Sequence, residues 1–201
     1  MGLNFLFRRA ATPARVAIFP GAWNPPTIAH LEIARAALKV TDEVVWVLPR
    51  RFPHKDFENV SLEDRAGMLE RIARAEEGFS AAISEGGIYA AIAEEAREFF
   101  GQSTEIALVC GRDAAERIAN WDYGASGVLE AMLDRHRLLV AARSGDYRPP
   151  KRHRKRIVQL PLELPLDEVS SSEIRRRIAA GLGWRKLVPP SIVDLVEELY
   201  T

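Results

Sequence analysis

This sequence predicts a single α/β domain, a doubly wound parallel sheet closed by C-terminal helices. Three observations carry that reading. Short apolar runs such as Val16-Ala17-Ile18-Phe19 and Val44-Val45-Trp46-Val47-Leu48 alternate with longer segments of helical periodicity almost throughout the chain. The first two runs are separated by one helix, the spacing of a parallel crossover. A length of 201 residues suits one well-buried domain and is short for two.

The elements follow in order. Residues 1–14 read as a loosely ordered leader and residues 15–201 as the domain. The leader's apolar stretch Leu3-Asn4-Phe5-Leu6-Phe7 is short, and Arg8-Arg9 follow it, the wrong polarity for a signal peptide. The strand from Val16 stops at Pro20-Gly21, and a tight Asn24-Pro25-Pro26 turn leads to a helix over about 28–40. Thr27 occupies the expected N-cap and His30 the first turn, while Glu32, Arg35 and Lys39 share one polar face. The unpaired N–H groups of that helix face a glycine-containing loop, a ready anion site, and Thr27 and His30 point the same way. Phosphates are placed here.

Strand 43–48 ends at Pro49, and the basic loop Arg50-Arg51-Phe52-Pro53-His54-Lys55 lies at its carboxyl end, where open α/β sheets bind ligands. Ser61-Leu62-Glu63-Asp64 caps a helix with Met68, Leu69, Ile72 and Ala73 at helical spacing. A strand over 79–84, a helix over 88–100 and a strand over 105–110 come next. Gly111-Arg112-Asp113 closes that strand and a helix from about Ala114 follows, with Asn120 to Gly124 as a turn. A helix over 128–133 and a strand over 137–142 precede an exposed loop, 143–156. A last short strand over 157–160, a helix opened by Ser170-Ser171-Ser172-Glu173 and a closing helix over 190–200 complete the chain.

Composition narrows the function classes. Lys+Arg and Asp+Glu balance at 28 each, so no global field recruits nucleic acid or a membrane surface. No apolar run approaches the roughly 20 residues of a membrane span. The sole cysteine, Cys110, cannot form an internal disulfide and ends a strand as a core residue, in keeping with a reducing, cytoplasmic setting. The basic run Lys151 to Arg156 has no interleaved aromatics and reads as a solvated loop. His54 and His153 lack spaced partners and make poor metal ligands, so no protein-held metal is expected.

A second chemical element is Val169-Ser170-Ser171-Ser172-Glu173-Ile174-Arg175. Hydroxyls, helix amides and a guanidinium at one helix end can grip a polyphosphate, the arginine bonding two oxygens at once. By itself it also reads as an ordinary capping box with a solvated arginine face.

Together these segments resemble a known family. Gly21-Ala22-Trp23-Asn24-Pro25 with Thr27 and His30 is similar to the opening signature of the nucleotidyltransferase superfamily, closest to the nicotinate- and nicotinamide-mononucleotide adenylyltransferases. Val169 to Arg175 resembles the superfamily's late Ile-Ser-Ser-Thr-x-Ile-Arg signature. Pro20, Thr27 and Ala29 depart from the first pattern, and Ala90 from a threonine usual after Tyr89. The resemblance implies a Rossmann-like α/β fold and adenylyl transfer from ATP to a pyridine mononucleotide, with Mg²⁺ carried by the ATP phosphates. It implies catalytic roles for His30, Thr27 and Arg175, and nucleotide binding by Gly21, Ala22, Trp23, His30, Gly111, Asp113, Ser170, Ser171 and Arg175. His54, Lys55, Tyr89 and Trp121 would bind the pyridine nucleotide. Nicotinate and nicotinamide stay open as the base, and the oligomeric state stays open, a homo-oligomer included. The alternatives are pantetheine-phosphate adenylyltransferase, a cytidylyltransferase, or a homologue that binds nucleotide without turnover.

Overall fold

The structure, a computed structural model, describes residues 2–9, 12–51, 60–142, 147–162 and 169–201. Its strands are β1 (Asn4–Phe7), β2 (Arg15–Pro20), β3 (Glu43–Pro49), β4 (Phe79–Ser84), β5 (Glu105–Gly111), β6 (Arg137–Ala141) and β7 (Ile157–Leu160). Its helices are α1 (Ile28–Leu38), α2 (Leu62–Ala75), α3 (Tyr89–Phe100), α4 (Arg112–Asn120), α5 (Val128–Arg135), α6 (Ser171–Ala179) and α7 (Val193–Tyr200). Short 3₁₀ turns at Lys151–His153, Arg185–Leu187 and Pro190–Ile192 complete the order.

The sheet runs β1-β4-β3-β2-β5-β6-β7. From β2 the chain winds outward through β3 and β4, then returns to the other flank of β2 for β5, β6 and β7. The winding therefore reverses between β2 and β5, which pair in parallel with Ile18 opposite Leu108. A crevice opens beyond the carboxyl ends of two strands at such a reversal.

Alternation along the strands divides the core. Ala17 and Phe19 of β2, with Val44, Trp46 and Leu48 of β3, face a layer built from α1, α2, α6 and α7. Val16, Ile18, Val45 and Val47 face the other layer, built from α3, α4 and α5. Both faces are covered, so the central strands read as near-continuous apolar runs. Trp46 and Phe79 are fully buried with ring centroids 6.1 Å apart.

Part of the segment expected as a loosely ordered leader is a strand. Residues 4–7 form β1, an antiparallel edge strand on β4, with Asn4 opposite Ile83. Phe5 stacks 4.5 Å from Phe99, and the Arg8 guanidinium lies over Phe5, Phe99 and Phe100 at 4.8–5.5 Å. The partners that order this segment stand far along the chain. Among the described residues no helix is long and apolar enough to cross a membrane.

Candidate active site

The loop between β2 and α1 is fixed from both sides of the sheet's reversal. Val47 of β3 supplies one carbonyl that accepts both the Gly21 amide at 3.1 Å and the Trp23 indole Nε1–H at 2.8 Å. Trp23 adopts a left-handed backbone (φ 54°), costly for a bulky residue. Its indole offsets that cost in the core, 4.9 Å from Phe19 and 4.7 Å from Trp46 by ring centroids. A Cβ on Gly21 would stand 2.5 Å from this indole, so glycine is required there by close approach. Trp23 was expected among nucleotide contacts; the residue is instead buried, its ring packed in the core.

Thr27 caps α1 through a reciprocal box. Its hydroxyl accepts the His30 amide at 3.2 Å, and its own amide donates to His30 Nδ1 at 3.1 Å. A backbone N–H can only donate, so Nδ1 is an acceptor and the neutral ring carries its proton on Nε2. Thr27 is fully buried, which corrects the expectation that it meets phosphate directly. It orients the His30 ring and sets its tautomer.

The two signature segments meet in space. Ser171 Oγ donates to the Pro25 carbonyl at 2.8 Å, and Arg175 Nη1 to the Asn24 carbonyl at 2.5 Å. Ser170 caps α6 by accepting the Glu173 amide at 3.1 Å. Glu173 is held down to about 2 by hydrogen bonds from Arg176 and Arg177, so it stays ionised in the first turn of α6, where the helix dipole favours negative charge.

Residues that the sequence reading did not single out complete the frame. Arg65 of α2 is buried, donates to the Ala22 carbonyl at 3.1 Å and to the Ser61 carbonyl at 3.2 Å, and burial lowers its pKa. Tyr200, next to the last residue, donates to Asn24 Oδ1 at 2.5 Å, and burial raises its pKa. Arg65 leaves a trace in the sequence, since it sits on the apolar stripe of Met68, Leu69 and Ile72.

On the other side of the loop lies a cleft of about 210 Å³ lined by Gly21, Ala22, Tyr89, Arg117 and Trp121 among others. Tyr89 donates to the Val109 carbonyl at 3.2 Å, and burial pushes its hydroxyl well above its ordinary value. The turn before α3 forms one wall, held by Glu95. That buried carboxylate accepts the Gly86 amide at 2.6 Å and the Glu85 amide at 3.2 Å. Gly111 ends β5 and caps α4; Asp113 is exposed in the first turn of α4, one residue before the cleft-lining Ala114. His54 and Lys55 lie outside the described residues. The sequence-expected residues thus fall into a polar group at the α1 and α6 N-termini and an apolar group around Tyr89 and Trp121.

The comparisons with known proteins agree with this geometry. Residues 18–177 match the family model described as cytidylyltransferase-like. A protein of Anaeromyxobacter dehalogenans named "Probable nicotinate-nucleotide adenylyltransferase" is 32% identical over 192 residues, covering 91% of this chain and 94% of its own. One of Gloeobacter violaceus with the same name is 27% identical over 198 residues, covering 92% and 94%. The fold is similar to that of Plasmodium falciparum nicotinic acid mononucleotide adenylyltransferase complexed with NaAD. That match has a TM-score of 0.67 at 17% identity, over 92% of this chain and 95% of that one. A loop and two helix N-termini that meet in this way, in a chain so matched, place it in the cytidylyltransferase-like family, among the relatives of its nicotinate-nucleotide adenylyltransferases.

Proposed function

We propose that this chain transfers the adenylyl group of MgATP to nicotinate mononucleotide, forming the dinucleotide and pyrophosphate. The observation that carries the reading is the bonding of Ser171 and Arg175 to the Pro25 and Asn24 carbonyls. It joins the N-termini of α1 and α6 into one anion-binding surface beside an apolar cleft. The names of the relatives support nicotinate as the base.

In the reaction an oxygen of the mononucleotide phosphate bonds to the α-phosphorus of ATP, and the bond to the bridging oxygen breaks to release pyrophosphate. The attacking phosphate has a second pKa of about 6 and is mostly ionised at neutral pH, so no general base is required. The protein's part is position and charge. His30, with its proton on Nε2, donates to the phosphate oxygens where charge develops. The α6 amides, the Ser170 hydroxyl and the outer nitrogens of Arg175 hold the departing pyrophosphate. Magnesium enters on the ATP phosphates and belongs to the substrate. The cleft with Tyr89 and Trp121 takes the pyridine ring, and Asp113 stands at its edge for a ribose hydroxyl. His54 and Lys55 serve the acceptor phosphate, and the setting is cytoplasmic.

The test is pyrophosphate release by the purified protein with MgATP and, separately, nicotinate mononucleotide, nicotinamide mononucleotide or phosphopantetheine. Release with a pyridine nucleotide is expected. Release with phosphopantetheine alone, or none with any acceptor in a protein that binds ATP, overturns the reading.

A further inference from the structure

The cleft beside the β2–α1 loop is apolar apart from one feature. Its described lining is Pro, Gly, Ala, Ile and aromatic side chains, with Arg117 the one residue among them that carries a full charge. Ala114, Arg117, Ile118 and Trp121 line it at i, i+3, i+4 and i+7, so one face of α4 forms a wall with the guanidinium set between ring-stacking and aliphatic positions. No carboxylate among the described residues pairs with Arg117. Its neighbour Arg112, by contrast, is paired with Glu116 at 3.3 Å. The charge is felt inside the cleft, where it opposes the upward shift that burial imposes on the Tyr89 hydroxyl.

An apolar slot with a single cation suits a flat ring bearing an anionic substituent. We propose that Arg117 is the specificity residue that reads the carboxylate of the nicotinate ring and sets the preference for nicotinate over nicotinamide mononucleotide. This rests on the adenylyltransferase reading above. The two acceptors differ only in a carboxylate against an amide, so a guanidinium beside that group discriminates by charge, and by a two-bonded fork that the amide cannot match. Arg117 is exposed toward solvent, so part of its effect is screened by salt.

The experiment measures kcat/KM for each pyridine nucleotide, and for ATP, in the natural protein and in Arg117→Gln and Arg117→Lys. Binding of each mononucleotide alone is followed by calorimetry. In Arg117→Gln the ratio of nicotinate to nicotinamide efficiency is expected to fall about 10- to 100-fold, through KM for the nicotinate substrate, as for a hydrogen bond to a charged group. Arg117→Lys retains part of the ratio, and rising salt erodes the natural protein's ratio toward the Gln value. An unchanged ratio in a folded Arg117→Gln protein overturns the proposal, as does a loss that appears in KM for ATP, which would put adenine in the cleft. Absence of turnover with both pyridine nucleotides in the natural protein defeats the parent reading, and the calorimetric ratio then decides the role of Arg117 alone. Equal affinities for the two mononucleotides there would overturn it.

Discussion

At the scale of single residues, His30 and Thr27 divide one task. In the proposed reaction the imidazole donates to developing charge, while Thr27, fully buried, holds the ring by its backbone N–H. His30→Ala is therefore expected to lower turnover by at least about 100-fold, the loss that follows removal of one oxyanion-type donor. Thr27→Val keeps the backbone donor to Nδ1 and removes only the hydroxyl cap. We expect a loss of about tenfold in kcat, with a small fall in stability of about 1 kcal/mol from the lost cap. Steady-state kinetics and urea unfolding of both variants check the division. Equal losses in the two would mean that Thr27 acts on the ligand itself. Gly21→Ala places a methyl against the Trp23 ring at 2.5 Å, so either the loop or the indole must move.

At the scale of elements, the loop is held by pieces that are unevenly legible in the sequence. Ser171 and Arg175 stand out by their distinctive residue pattern, but as candidate phosphate ligands and not as partners of the Pro25 and Asn24 carbonyls. What Arg65, Tyr200 and Glu95 meet is not legible, because each is one polar residue on an otherwise ordinary amphipathic helix and only three-dimensional packing shows its partner; Arg65 alone leaves a trace, by its place on the apolar stripe of α2. Glu95 is the clearest case, a carboxylate among buried Ile92, Ala93 and Ala96 on α3 that holds the amides of Glu85 and Gly86. Glu95→Gln keeps one acceptor and turns an N–H donor toward the other amide, leaving that contact unmade. The wall of the cleft then loosens, so KM for the pyridine nucleotide is expected to rise about tenfold while KM for ATP stays close to its natural value. A matched rise in both would assign Glu95 to general stability instead. Tyr200→Phe removes only the hydroxyl on Asn24, and it should lower kcat several-fold with little change in melting temperature.

At the scale of the whole molecule, the alternation of strands and helices was readable because parallel strands covered on both faces must be apolar throughout. Strand 79–84, helix 88–100 and strand 157–160 lie within a residue of their expected limits, the last although Val158 and Gln159 of that edge strand are exposed. β1 was not readable: four residues give too short a period, and its partners Ala82, Ile83 and Phe99 lie far along the chain. The joining of the α1 and α6 ends was foreshadowed only by motif, since nothing in local periodicity says that residues 25 and 171 touch. The same distant packing leaves a global signature in His136, buried where α5 ends and β6 begins. Burial first, and then the nearby Arg97 and Arg135, hold its pKa below the ordinary 6.5, while Glu94 opposes them. The unfolded chain thus takes up a proton at higher pH than the folded one. Stability contributed by the neutral ring is complete above about pH 6.5 and is lost as the pH falls below it. Urea midpoints measured between pH 8 and pH 5 are expected to fall with acidity. In His136→Phe, which keeps a flat ring and cannot be protonated, that component of the slope should vanish. An unchanged slope in His136→Phe would assign the acid sensitivity of this window to groups other than His136; the carboxylates Asp42 and Asp194, whose pKa values arginine partners depress, act only at lower pH.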